Sequence, residues 1–217
     1  MTRLLLGAVL LGFLGFSVSG QEMLAPPAQV RFDSRDYRNV LQWKPSTNTS
    51  LLYTVQWKIY GEQEWLNASS CQETLKRQCD LSSVTSDSRE WYYARVRASS
   101  VTSSSSSGWA LSPRFSPRWD TKISPPSLRL TSTKRSMVVQ VKPPRVLLRK
   151  MHSGLHFKIF LIHASGEEEE LDMVCCSGRL TLSSLKPRAR YCLQAQTIIP
   201  LQAKSSARSA LKCSAAP

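Results

Sequence analysis

The sequence from Trp91 to Pro126, WYYARVRASSVTSSSSSGWALSPRFSPRWDTKISPP, decides the fold. The serine run Ser103 to Ser107 predicts a hairpin loop, and Trp109 then opens a second strand. Before that loop, one set of residues alternates with another in the period-two pattern of a half-buried strand: Tyr92, Ala94, Val96 and Ala98 against Tyr93, Arg95, Arg97 and Ser99.

Prolines follow the second strand and end it. Pro113, Pro117 and the pair Pro125-Pro126 lack amide donors and fix their own φ angles, so a β-ladder cannot continue through them. We therefore expect a β-domain to end here and a stiff, extended joint to follow. The predicted boundaries are a first domain over 24–122, a Pro-rich linker over 123–126 and a second domain over 127–215.

The residues before this stretch predict further short strands separated by turns. Val30 to Phe32, Val40 to Trp43 and Tyr53 to Tyr60 have strand character, and Asp33-Ser34 is a candidate turn. About seven strands fit in the first domain, and Trp43 is expected in its core together with Trp57. The pattern predicts an all-β sandwich.

The second half repeats this plan with a different sequence. Its first three strands are predicted around Leu128 to Leu130, Met137 to Val141 and Leu155 to Leu161. Leu185-x-Pro187-x-x-x-Tyr191 has the spacing of a tyrosine corner, in which a phenol bonds to upstream backbone at the crossing between two sheets. The acidic run Glu167 to Glu170 is expected to form a solvated loop.

The N-terminus has the features of a secretory signal peptide. Residues 1–20 contain Arg3, an apolar run to Phe16 and small residues before Gln21. No later segment reaches the roughly 20 apolar residues that a membrane span requires. We expect a secreted, extracellular protein without a membrane span.

Six cysteines in a secreted chain predict disulfides. Cys71 and Cys79 bracket a short loop, whereas Cys192 and Cys213 lie in what we expect to be the last two strands. Both pairs are plausible neighbours. Cys175 and Cys176 remain, and a bridge between sequence neighbours demands strained geometry, so we expect free or intermolecular thiols there.

Positive charge is concentrated in the second half. The whole chain carries a formal net charge of +14, and residues 126–217 hold 15 Lys/Arg against 5 Asp/Glu. For a secreted chain this field suggests an acidic protein, sulfated glycans or an anionic cell surface as a partner, and argues against nucleic acid. A solvated basic surface without a dedicated partner is the alternative.

No catalytic or metal-binding constellation is visible. The three histidines, His152, His156 and His163, do not accompany a cysteine pair at zinc spacing, and no nucleophile elbow or phosphate-binding glycine loop occurs. We expect no enzyme activity, no metal and no cofactor. Asn48-Thr49-Ser50 and Asn67-Ala68-Ser69 are N-glycosylation sequons, both expected in turns of the first domain.

The chain resembles the class II cytokine receptors, whose ectodomains are two fibronectin type III sandwiches joined at an elbow. The resemblance rests on the domain junction Phe115-x-Pro117-x-x-x-Thr121-x-Ile123-x-Pro125-Pro126 and on first-domain motifs: Asn39-x-Leu41-Gln42-Trp43, Val55-Gln56-Trp57-Lys58-Ile59-Tyr60-Gly61 and Cys79-Asp80-Leu81. It becomes weaker after Pro126.

The resemblance implies a decoy that binds an interleukin-22-like helical cytokine through its elbow loops and blocks access to the signalling receptor. Alternatives are a soluble binder of another class II cytokine, an interferon or an interleukin-10 relative, and a basic module that binds matrix glycans. The implied contact residues are Tyr60 and Gly61, Thr85 and Asp87 in the first domain and, by location only, Arg149 and Gln202 in the second.

Overall fold

The computed structural model describes residues 24–176 and 178–216, and the expected signal peptide lies outside these ranges. The first half forms two antiparallel sheets, of order β1-β2-β5 and β4-β3-β6-β7. Their strands are β1 Ala28–Arg35, β2 Arg38–Lys44, β3 Leu51–Ile59, β4 Leu66–Asn67, β5 Gln78–Asp80, β6 Tyr92–Ser100 and β7 Ala110–Leu111.

The second half repeats this arrangement. One sheet has the order β12-β9-β8, and the other has the order β11-β10-β13-β14, with β15 also paired to β13. The strands are β8 Ser127–Ser132, β9 Met137–Lys142, β10 His156–Ile162, β11 Glu168–Val174, β12 Arg179–Leu182, β13 Arg190–Ile199, β14 Lys204–Ser205 and β15 Lys212–Ala215. Two fibronectin type III sandwiches result, so the predicted all-β fold is confirmed.

Each sandwich has its own apolar core. The first contains Trp43, as expected, with Trp57 packed against it from a half-buried position. The second is built from the inward faces of β9, β10 and β13. Tyr37 belongs to the first domain in sequence, yet its ring packs in the second core and is 6% exposed.

Disulfides join Cys71 to Cys79 and Cys192 to Cys213. The second bridge connects β13 to β15, where these two cysteines lie directly opposite each other. The structure also places the sulfur atoms of Cys175 and Cys176 against each other across a cis peptide bond. This arrangement differs from the free or intermolecular thiols expected there, and the oxidation state of the pair stays a prediction.

A tyrosine corner closes each sandwich. The Tyr191 hydroxyl accepts a hydrogen bond from the Lys186 N–H at 3.0 Å, which confirms the corner expected from the sequence. In the first domain the Tyr92 hydroxyl donates to the Asp87 carbonyl at 3.1 Å. Both phenols therefore fix a backbone position five residues upstream.

Serine side chains hold the irregular last strands to their neighbours. Ser112 donates its N–H to the Ala94 carbonyl, and its hydroxyl accepts from the Ala94 N–H at 3.1 Å. Ser209 makes the same pair of bonds with Ala195. The same pair of bonds joins Ser107 to Ala98 and Ser206 to Thr197. The hydroxyls stand where a regular ladder would place backbone carbonyls.

Two expectations about loops are wrong. Asp33 and Ser34 lie inside β1, and the chain turns at Asp36-Tyr37, both in the left-handed region. Two such residues form a turn whose twist matches a two-residue hairpin. The acidic run Glu167 to Glu170 lies largely in strand β11, at the edge of a sheet, where charged side chains discourage pairing with another chain.

Two short helices interrupt the strands: α1 Pro117–Asp120 at the domain junction and α2 Val146–Met151 between β9 and β10. Leu148 is fully buried and anchors α2 to the second core. Within residues 24–176 and 178–216, no helix is long and apolar enough to cross a membrane.

Candidate functional site at the elbow

Strand directions bring five connections to the junction between the domains. The last residue of β3, Ile59, pairs with the first residue of β6, Tyr92, so the β3–β4 loop and the β5–β6 loop lie at the same end of the first domain. The β1–β2 turn lies at this end as well. In the second domain, His156 pairs with Ile198, so the β9–β10 and β13–β14 connections face the first domain. These five connections form the elbow.

Tyr37 is the central contact of the elbow. Its hydroxyl lies 2.8 Å from His152 Nε2, and the two rings are tilted with centroids 5.6 Å apart. Burial raises the pKa of Tyr37, against the lowering effects of the Gln202 side chain and Arg118. One first-domain side chain thus contacts both second-domain connections.

Hydrogen bonds through Asp36 tie the turn to the linker and to the second domain. Its carboxylate accepts from the Ser124 N–H at 2.8 Å, and its carbonyl accepts from Arg145 at 3.1 Å. Ser124 in turn accepts a hydrogen bond from Thr197 at 3.0 Å. The linker is therefore hydrogen-bonded to both domains.

Lys204 fixes the junction from the second domain. Its ammonium donates to the carbonyls of Arg118 and Thr121, at 3.1 and 2.8 Å. Burial lowers the pKa of Lys204, and burial followed by the charges of Arg118 and Lys204 lowers that of His152. His152 is therefore held in its neutral form near physiological pH.

Tyr60 projects from the end of β3, with 56% of its surface exposed. Its N–H donates to the Trp91 carbonyl at 2.7 Å, so its backbone is held while its ring remains accessible. Gly61 follows with φ +94°, a conformation that other residues adopt only with strain. This glycine turns the chain and leaves the tyrosine ring at the tip of the loop.

Arg114 stacks between two aromatic rings beside Tyr60. Its guanidinium lies 4.2 Å from the centroid of the Trp91 ring and 5.4 Å from that of Tyr60. Tyr93 completes the group, with its ring centroid 6.1 Å from that of Tyr60. Such contacts limit the motion of an exposed ring, so less conformational entropy is lost when it binds a partner.

Thr85 does not contribute its side chain to the exposed surface. The residue is fully buried, and its hydroxyl donates to the Leu81 carbonyl and accepts from the Asn39 amide, both at 2.8 Å. The expectation of a Thr85 side-chain contact is therefore corrected: the residue supports the β5–β6 loop from inside.

Asp87 lies on the surface of the same loop. It forms an ion pair with Arg89 at 2.7 Å, and the hydrogen bonds from Arg89 lower the pKa of this carboxyl to about 2. Its carbonyl is held by Tyr92, so the tyrosine corner also positions this loop.

The two second-domain candidates lie on the connections that contact Tyr37. Arg149 is exposed on α2, and Gln202 is half-buried in a short 3-10 turn, Pro200–Gln202. Apolar neighbours are also exposed: Leu201 has 78% of its surface in water, and Val146 has 69%.

The sequence did not identify several exposed residues of this region. Trp119 on α1, Val146 and Leu147 on α2, and Leu201 have their large apolar side chains in water. The apolar run at 146–148 between basic residues was a usable signal, since only Leu148 is needed in the core. Together with Tyr60 they form the elbow surface, defined here as Tyr60, Trp119, Val146, Leu147 and Leu201.

Both sequons are accessible. Asn48 is exposed in the β2–β3 loop. Asn67 is also exposed but lies in the edge strand β4 rather than in a turn, and its side-chain Oδ1 accepts a hydrogen bond from the Gln56 amide. Glycosylation at both remains a prediction. Among the described residues, no group of three or more His, Cys, Asp or Glu side chains could hold a metal ion.

Two sandwiches joined at a bonded elbow, with exposed apolar loops at the junction, define a cytokine-receptor type of extracellular module. Family models agree: the tissue factor model matches residues 2–107, and the fibronectin type III model of the interferon-alpha/beta receptor matches residues 121–217. The chain belongs to the class II cytokine receptor family. This family consists of non-enzymatic receptors, in agreement with the expectation from the sequence.

Individual relatives sharpen this assignment. The chain is 31% identical to the human interleukin-22 receptor subunit alpha-2, over 86% of this chain and 87% of the relative. The mouse protein of that name is 32% identical, with 94% and 96% covered. Human interleukin-20 receptor subunit alpha is 33% identical over 82% of this chain but only 34% of its own length.

A solved structure supports the fold. The chicken interferon gamma receptor alpha chain superposes with a TM-score of 0.76, at 21% identity, and covers 89% of this chain and 99% of its own. At this identity the likeness concerns the architecture alone.

Proposed function

We propose that this chain is an extracellular receptor module that binds an interleukin-22-like helical cytokine across its elbow surface and blocks access to the signalling receptor. The observation that carries the proposal is the elbow surface itself: five large apolar side chains, from the connections and short helices that meet at the hydrogen-bonded junction, lie in water. Exposed apolar groups gathered in one region mark protein-interaction sites.

Tyr60 is the main anchor in this proposal. An aromatic ring that is accessible, held at its backbone and stacked on an arginine fits the residues that dominate binding energies. Gly61 keeps the loop in its conformation, and Asp87, Arg149 and Gln202 would provide polar contacts around the apolar groups.

The relatives support the proposed ligand class. Proteins named interleukin-22 receptor subunit alpha-2 match along most of their length, which favours an interleukin-22-like cytokine. The similarity to interleukin-20 receptor subunit alpha keeps other class II cytokines, including interferon and interleukin-10 relatives, as the second candidate class.

Blocking would result from occupancy. An interface of ordinary size covers roughly 800 Å² of each partner, a substantial share of the surface of a small helical cytokine. A receptor module that covers the same face as the signalling receptor excludes that receptor by sterics alone, and it needs no reaction or cofactor.

The test is binding of secreted residues 21–217 to interleukin-22 from the same organism, beside related class II cytokines. Tyr60→Ala is expected to weaken binding by about 2 kcal/mol or more, because it removes the anchor ring. Leu75→Ala is the matched control, since Leu75 is 64% exposed on the first domain but lies next to Trp43, away from the elbow. Thermal unfolding of both variants checks that the fold is intact.

A loss below about 0.5 kcal/mol for Tyr60→Ala, or an equal loss for the control, would contradict the assignment of the anchor. The blocking role is measured separately, as inhibition of cytokine signalling in cells that carry the signalling receptor. Binding without inhibition would leave the cytokine assignment standing and remove the decoy role.

A further inference from the structure

Acidic and basic residues are segregated in the second domain. All five acidic residues of the sequence after Pro126 lie on β11 or immediately before it: Glu167, Glu168, Glu169, Glu170 and Asp172. The strands of the opposite sheet, β8, β9 and β12, contain no acidic residue.

Basic neighbours compensate the acidic edge. Lys158 pairs with Glu170, and Arg208 pairs with Glu168, each at 2.8 Å. His163 Nε2 lies 3.7 Å from Glu169. Two of the five acidic residues are therefore paired with a lysine or an arginine, and none of these ion pairs involves a residue of β8, β9 or β12.

Five of those cations gather at the end of the second domain that is remote from the elbow. The last residue of β8, Ser132, and the last residue of β12, Leu182, both pair with Met137, the first residue of β9. The β8–β9 turn and the connection between β12 and β13 therefore lie at this same end. We call the five residues the distal basic cluster: Lys134, Arg135, Lys186, Arg188 and Arg190.

The C-terminal strand fixes the two loops beside each other. Ser132 donates to the Ala215 carbonyl at 3.1 Å, and Ala215 lies opposite Arg190 in the ladder. Ala216 exchanges backbone hydrogen bonds with Arg188 and Ala189, and Tyr191 holds the Lys186 N–H. The basic side chains therefore project from a braced surface.

All five side chains are exposed, and none takes part in the ion pairs found among the described residues. Arginine and lysine without internal partners suit sulfate groups, and arginine can bind such oxyanions through two parallel hydrogen bonds. No large apolar side chain is exposed beside these basic residues. Stable attachment to a lipid surface needs apolar groups that enter the membrane as well as positive charge, so a lipid surface is the less suitable partner.

We infer that the distal basic cluster binds sulfated glycosaminoglycans. Strand β13 runs from Arg190 in the cluster to Ile199 at the elbow, and its ten residues at about 3.3 Å each separate the two regions by about 30 Å. A glycan at this end therefore leaves the elbow surface free, and the protein can be retained in the matrix while it binds a second partner.

The test uses secreted residues 21–217 on immobilised heparin, with de-sulfated heparin and phosphatidylserine vesicles as further probes. The test variant is Lys186→Gln/Arg188→Asn/Arg190→Gln; asparagine is chosen because Arg188 has φ +60°. The matched control, Arg31→Gln/Lys44→Gln/Lys76→Gln, removes the same charge from exposed sites of the first domain.

We expect heparin binding that depends on sulfation and falls steeply with salt. The test variant is expected to bind heparin at least about tenfold more weakly at physiological ionic strength, since each basic residue near an anionic surface contributes appreciably. The control is expected to bind almost as the natural sequence does, and thermal unfolding verifies both folds.

Equal losses for the two variants would show a response to net charge alone and overturn the site. Retention on de-sulfated heparin, or binding to the vesicles without binding to heparin, would overturn the glycan assignment. Cytokine binding is measured in parallel on the test variant. Its absence in every variant would reject the proposed function while leaving the heparin result to decide this inference.

Discussion

The two domains share one architecture and differ in how they distribute charge and exposed apolar surface. Both have a disulfide, a tyrosine corner and paired serine bonds to a long strand, β6 in the first domain and β13 in the second. The first domain places cations against aromatic rings: Arg95 stacks on Trp65 and Trp109, and Arg114 stacks on Trp91. The second places its acids on one strand and leaves most cations free.

This difference shows how one fold supports two kinds of recognition. Cations stacked on rings order an aromatic surface, which suits contact with a protein. Cations without internal partners create an extended positive field, which suits a polyanion. The shared devices keep both sandwiches rigid while the surfaces change.

Removal of each disulfide gives the largest effect that separates the domains. Cys192→Ala/Cys213→Ala opens a link across 21 residues and is expected to cost about 3 kcal/mol of second-domain stability. Cys71→Ala/Cys79→Ala opens a link across 8 residues and is expected to cost about 2.5 kcal/mol in the first domain. Urea unfolding followed by tryptophan fluorescence for the first domain, where all six tryptophans lie, and by NMR signals of the second domain measures both. A larger loss for the first-domain pair would refute the order given by loop length.

The tyrosine corners should give a smaller, matched effect. Tyr191→Phe leaves the Lys186 N–H without its acceptor, and Tyr92→Phe leaves the Asp87 carbonyl without its donor. Each change is expected to cost about 1 to 2 kcal/mol in its own domain. Chemical denaturation measures the cost, and a change in the other domain's transition would show that the domains unfold as one unit.

The smallest expected effect concerns pH at the elbow. Burial and nearby cations hold the folded pKa of His152 below the unfolded value of about 6.5. At pH values between the folded and the unfolded pKa, the unfolded or undocked state therefore binds more protons than the folded state. Stability is fully present above about pH 6.5 and is lost as pH falls through the lower folded pKa.

An NMR titration of the His152 ring measures its folded pKa, and unfolding curves at several pH values measure the change in stability. His152→Gln is the control, because glutamine does not titrate, and it is expected to flatten the pH dependence. A His152 midpoint at or above 6.5 would contradict the half-buried, neutral histidine at the Tyr37 contact.

The sequence by itself determined the all-β fold, the two sandwiches, the second tyrosine corner and the loop that carries Tyr60 and Gly61. These features depend on local information: alternation of apolar residues along a strand, prolines that stop a ladder, and fixed spacing before a tyrosine. The spacing of Leu185, Pro187 and Tyr191 is a case in which a short motif specifies a particular hydrogen bond, from the Lys186 N–H to the Tyr191 hydroxyl.

Only the tertiary structure decided which residues share a surface. Thr85 and Asp87 are two positions apart, yet the first is fully buried and the second is half-buried, with 39% of its side chain exposed. Tyr37 follows a left-handed turn and enters the core of the other domain, which no periodicity indicates. The elbow surface and the distal basic cluster join loops far apart in sequence. Strand pairing and the packing of the two sandwiches bring their members together. These contacts join residues far apart in the chain, so local sequence patterns do not predict them.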